Sequence, residues 1–144
     1  MRVSWAEILE GLAFAGAIAG LIWNALEARR ATRLQMFTEY TRRYQEIMLM
    51  IPLSAFGEEY DFAALEERER AETLAAMRAF FDMCSEELFL NKKGKLEPAV
   101  WRYWRNGMTD LLRHPAFKVA WELIRQGKYY HRDFEAFIEE IKAG

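Results

Sequence analysis

Sixteen consecutive residues, GLAFAGAIAGLIWNAL from Gly11 to Leu26, carry no charge, and tryptophans stand near both ends of the run at Trp5 and Trp23. In a helix rising ~1.5 Å per residue those two indoles lie roughly 27 Å apart, against a hydrocarbon layer of ~30 Å. Indoles favour the boundary between headgroups and acyl chains, so this spacing matches an aromatic belt. The expectation is a membrane-spanning helix. Because the run is short and Glu7 and Glu10 stand at its start, a buried helix of a soluble protein is the alternative. A cleaved signal peptide is disfavoured, since two acids rather than basic residues lead into the apolar stretch.

The flanks set an expected orientation. Arg29, Arg30 and Arg33 follow the run, whereas Arg2 alone precedes it. Basic residues are retained on the cytoplasmic side, which predicts a single-pass protein of the bacterial inner (cytoplasmic) membrane with its N-terminus outside and its C-terminal part cytoplasmic. Trp5, Trp23, Arg29, Arg30 and Arg33 are the expected interface residues, the arginines contacting anionic lipid. Within the run, Gly16 and Gly20 form a G-x-x-x-G pair, with Ala13 and Ala17 adding small residues at helical spacing. Small residues let helix backbones approach closely in lipid, so self-association along this stripe is expected. Glu7 and Glu10 then either face a shared aqueous lumen or are solvated at the outer interface.

At 144 residues, with 52% hydrophobic and 15% aromatic side chains, the chain has material for one packed core plus one appended element. The expected division is residues 1–27 as the membrane helix and 28–144 as a cytoplasmic helical domain. A net charge of −2 supplies no global field for nucleic acid. Lys128, Tyr129, Tyr130, Arg132 and the Trp101–Arg105 stretch do mix aromatics with bases, but acids are interleaved, so helix-end packing is preferred to base stacking. The expected partners are membrane lipid and either further copies of the chain or other membrane-protein subunits. The single cysteine, Cys84, has no internal disulfide partner; its neighbours Met77, Phe80, Phe81 and Leu88 mark it as a buried thiol.

All periodicity is helical. Between Leu21 and Ile51 no proline or glycine interrupts the chain, which predicts that the membrane helix continues unbroken to Pro52, with Leu34, Phe37, Tyr44, Met48 and Ile51 along one stripe. Residues 52–61 read as a loop. A second helix is expected from near Asp61 to near Gly94, burying Leu74, Met77, Phe81, Cys84 and Leu88 and turning Asp82, Glu86 and Glu87 to solvent. Pro98 opens a third helix reaching about Arg113, with Trp101, Trp104, Met108 and Leu111 inward. A short fourth carries Phe117, Ala120, Trp121 and Ile124 and stops at Gly127; a fifth presents Phe134, Phe137, Ile138 and Ile141. The fold class is all-α: one N-terminal transmembrane helix continuing into a cytoplasmic bundle of about four helices.

No phosphate loop, nucleophile constellation or metal-ligand spacing is found, and no cofactor is expected. Two histidines are too few for any site needing three. His114, before Pro115 at a helix end, reads as structural or capping. His131 lies in RQGKYYH, separated from Arg125 by five residues. That spacing resembles the R-x(4–6)-H signature of the HEPN superfamily of small helical ribonucleases. The resemblance implies a dimeric site in which His131 handles protons and Arg125 stabilises phosphate charge. Membrane-anchored HEPN-like accessory proteins of RNA-targeting CRISPR systems share the combination of a membrane helix with a small helical domain. Gln126 departs from the residues usual after the arginine, and Gly127 is expected to end the helix that would carry the pair.

A broader similarity covers most of the chain. ARRATRLQ (Ala28 to Gln35), the FFDMCSEELFL helix, Gly94-Lys95-Leu96 leading to Trp101, and HRDFEAFIEEI together resemble a widespread group of bacterial proteins of unknown function. The resemblance implies an N-terminal membrane helix and a small cytoplasmic helical domain. The leading functional expectation is a non-enzymatic, membrane-tethered interaction protein, a homo-oligomer or a small accessory subunit of a larger membrane complex. The alternative is a defence-type effector acting by pore formation or HEPN-like RNA cleavage.

Overall fold

A computed structural model describes residues 5–143, apart from the side chain of Glu7. The described residues are all-α. They form α1 (Trp5–Met50), α2 (Glu67–Lys92), α3 (Pro98–Arg113), α4 (Pro115–Arg125) and α5 (Arg132–Ala143), with 3-10 turns at Leu53–Phe56 and Phe62–Ala64. The chain divides into two compact units, Met1–Thr41 and Arg42–Gly144.

The described part of the first unit is helix alone. Gly11, Gly16 and Gly20 do not break it, as is usual in apolar helices of membrane proteins. The unbroken helix to residue 50 is as expected, and its end has a plain cause. Pro52 excludes the α conformation at the preceding residue, and the Ile51 amide settles onto the Met48 carbonyl at 3.2 Å in a final tightened turn.

In the second unit the chain's punctuation sets most helix limits. The start of α2 is the exception, because it falls at Glu67 rather than near Asp61. Asp61 accepts a hydrogen bond from the Ala63 amide at 2.9 Å, and this side-chain turn competes with helix initiation. The outcome is a separate three-residue 3-10 turn. The EERERAE run then supplies the first turns of α2, where Glu67 and Glu69 complement the positive helix terminus. At the other end Gly94 takes φ +64, a conformation that penalises any residue with a Cβ. The amides of Gly94 and Lys95 donate to the carbonyls of Asn91 and Leu90, each at 2.9 Å, closing the helix in the paired glycine-terminated pattern. Pro98 and Pro115 occupy first-turn positions of α3 and α4, where a missing amide hydrogen costs nothing.

The core is centred on Trp121. Its ring lies 5.2 Å from Phe81, 5.1 Å from Tyr130 and 5.6 Å from Phe134, joining α2, α4 and the start of α5. Phe80 meets Phe117 edge-on at 5.5 Å, and Phe56 of the first 3-10 turn packs on Phe117 at 5.9 Å. Trp101 of α3 reaches Phe137 of α5. Tilted and edge-on pairs of this kind add to the area they bury. At the end of α1 Ile47 is buried, as is Ile51 just beyond the helix, while Tyr44 is more than a third exposed. The apolar stripe therefore runs through Ile47, which lies off the expected Leu34, Phe37, Tyr44, Met48 and Ile51 series. Cys84 is fully buried, as expected.

Candidate functional site

The apolar segment of α1 is long and apolar enough to cross a membrane, and none of its most apolar window is buried against the rest of the protein. Residues 5–26 span about 33 Å of helix. Leu9, Leu12, Phe14, Leu21 and Trp23 are each more than 60% exposed, and Trp5 is 81% exposed.

Ala13, Gly16, Ala17 and Gly20 are exposed on the same helix, and a Cβ added at Gly16 or Gly20 would meet nothing within 4 Å. Arg29, Arg30 and Arg33 lie one to two turns beyond Leu26 and are exposed. Arg30 stands 3.8 Å from Glu27, and Thr32 donates to the Ala28 carbonyl at 2.9 Å. Glu10 is exposed. Arg2 and the Glu7 side chain lie outside the described residues.

Arg125 and His131 fall on different elements. Arg125 is the last residue of α4, and its Nε donates to Glu122 at 2.7 Å. Gly127 stands in the turn that follows, as its helix-breaking character suggested. His131 precedes α5, where its Nδ1 accepts the Asp133 amide hydrogen at 3.2 Å while its carbonyl accepts from Phe134 and Glu135. His131 thus serves as the N-cap of α5, work that Ser or Asp more often does. His114 sits between α3 and α4 and makes no side-chain cap bond. Its ring packs edge-on against Phe56 at 5.9 Å instead.

Among the described residues no group of three or more His, Cys, Asp or Glu side chains is arranged to hold a metal ion. Two polar clusters in the second unit do depart from a solvated surface. In the first, Asp82 Oδ1 accepts the Tyr130 hydroxyl at 2.8 Å and also pairs with Lys128. The Lys128 ammonium in turn lies 5.0 Å from the Tyr130 ring centre. Burial, reinforced by Asp82, pushes the Tyr130 phenol well above its ordinary range. Nearby, the indole nitrogen of Trp121 is buried without a hydrogen-bond partner.

The second cluster corrects the sequence reading. Glu86 is exposed, but Glu87 is 3% exposed. Burial pushes its carboxyl up to about 8; Arg43 opposes the shift and Glu86 adds to it. Arg43 Nη1 donates to Glu86 Oε2 at 2.7 Å, tying the last turns of α1 to α2. The Cys84 thiol, one turn before Glu87, is raised by burial and by Glu87. A signal for Glu87 was present in the sequence: Thr73, Met77, Phe80, Cys84 and Glu87 repeat at four-three-four-three spacing, and all five are buried. A single acid at the end of an inward stripe is buried by its register, whatever its charge.

No family model, curated protein or solved structure matches this chain.

Proposed function

We propose that the protein is a membrane-tethered helical interaction protein, inserted in the lipid of the bacterial inner membrane through residues 5–26 and acting as a homo-oligomer or as a small accessory subunit of a larger membrane complex. The observation that carries this reading is the exposed apolar segment of α1. Apolar area left in water forfeits roughly 25 cal/mol per Å², and a bilayer recovers it over the length such a helix offers.

The orientation follows from Arg29, Arg30 and Arg33, which stand on the cytoplasmic side in this reading, each worth about 1 kcal/mol against anionic lipid. The stripe of Ala13, Gly16, Ala17 and Gly20 offers close backbone approach to a neighbouring helix. The well-packed second unit, with its aromatic centre at Trp121, supplies a rigid cytoplasmic body for subunit contacts.

Blue-native electrophoresis of the detergent-solubilised full-length chain tests the reading. A band larger than one chain plus its micelle, or a co-purifying membrane subunit, supports it. A strictly monomeric species without any companion contradicts it.

A further inference from the structure

Val119 and Leu123, one turn apart on α4, are 46% and 45% exposed. They line an open groove together with Arg70 and Leu74, likewise one turn apart on α2, and with Phe62 of the second 3-10 turn. Two rows of side chains at this spacing, with a channel between them, are the kind of surface into which the ridges of another helix pack. The charged groups lining the groove are one base and one acid. Arg70 is half-buried and Asp61 is exposed, and among the described residues neither side chain is in an ion pair; the Asp61 carboxylate accepts the Ala63 amide hydrogen. A guanidinium taken partly out of water gains from a carboxylate that completes its hydrogen bonds.

We propose that this groove between α2 and α4 is the face through which two copies of the chain join, Arg70 of one protomer pairing with the partner's Asp61 while Val119 and Leu123 are buried between them. A patch that carries both signs beside an apolar strip is self-complementary, which is what a two-fold interface requires, because the same surface must serve both sides. A ligand of a single charge would instead meet a like charge at one end of the groove. The inference rests on the homo-oligomer reading and gives it a contact outside the apolar segment. Tethering assists it, since chains held in one bilayer meet at a high effective concentration.

Cross-linking of the full-length chain in its membranes tests the face. Ala63→Cys puts a thiol at an exposed position lining the groove, while Cys84 is fully buried and does not compete. With a short bismaleimide, a product of twice the chain mass is expected, and Asn106→Cys, exposed on α3 outside the groove, should yield far less. In the Ala63→Cys background, Arg70→Glu or Asp61→Lys alone should lower the yield about tenfold. Co-expression of these two variants with tags of different size should restore the mixed pair, in which both contacts again join opposite charges. That recovery also shows that each variant has folded. Yields indifferent to both reversals, a loss without recovery in the mixed pair, or a product whose added mass is a different protein overturns the proposal. If the native chain still runs as an oligomer on blue-native gels in any of those cases, this face is removed and the homo-oligomer reading stands; a strictly monomeric chain removes both.

Discussion

The hydroxyl of Tyr130 donates to Oδ1 of Asp82 across 2.8 Å, joining the approach to α5 to the middle of α2. The same oxygen pairs with Lys128, so one carboxylate organises the turn between α4 and α5. Tyr130 is 3% exposed and its ring packs on Trp121. Its hydroxyl is the polar end of an otherwise apolar contact.

Tyr130→Phe keeps the ring and removes the donor. A hydrogen bond to a charged acceptor is worth on the order of 1–3 kcal/mol, and the variant is expected to lose about that much in thermal unfolding followed by circular dichroism. Combined with Asp82→Asn the losses should be less than additive, because both substitutions break one interaction. Full additivity would show that the two residues act separately.

Glu87 predicts how stability depends on pH. Its proton affinity is raised to about 8 in the folded protein from an ordinary 4.5. The folded state therefore holds a proton that the unfolded chain has released between those values. Stability from this group is complete below pH ~4.5 and declines as pH rises to ~8, by at most about 1.4 kcal/mol per unit. Glu87→Gln should flatten the decline and exceed native stability at pH 8. Unfolding curves at pH 5.5 and pH 8 check this; equal native stability at both, with no gain from the variant, goes against it.

His131 caps α5 through Nδ1. His131→Ala should cost about 1 kcal/mol, and His131→Asn, which supplies an acceptor suited to the position, should restore most of the loss. Denaturant titration separates the two variants. If Asn fails to rescue, the cap is not what His131 contributes to stability.

Gly16→Leu tests the small-residue stripe. In the proposed oligomer the added side chain keeps the backbones apart and shifts the species on blue-native gels toward monomer, while Ile22→Ala, on the opposite face of the helix, leaves it unchanged. Identical mobility of Gly16→Leu and native protein would remove the stripe from the interface.

Much of this architecture can be read from residues with rigid backbone preferences. Pro52 ends α1, Gly94 ends α2, and Pro98 and Pro115 open α3 and α4, because steric exclusion acts locally and needs no tertiary partner. Burial is a collective property and is less legible. Glu87 reads as solvated from its charge, yet it shares the register of Thr73, Met77, Phe80 and Cys84. Ile47 is hard to single out because its neighbours Tyr44 and Met48 also fit a helical stripe. Asp61 signals a helix start equally well whether its side chain caps a helix or a short 3-10 turn. Arg125 and His131 match a spacing in the chain, but a turn separates their elements, and no spacing rule encodes that turn.

Whether residues 5–26 reside in lipid is decided by alkaline carbonate extraction of membranes from cells expressing the full-length chain. The protein is expected to stay in the membrane pellet after extraction and to be released only by detergent. Recovery of the full-length chain in the supernatant, as a monomer soluble without detergent, would contradict it.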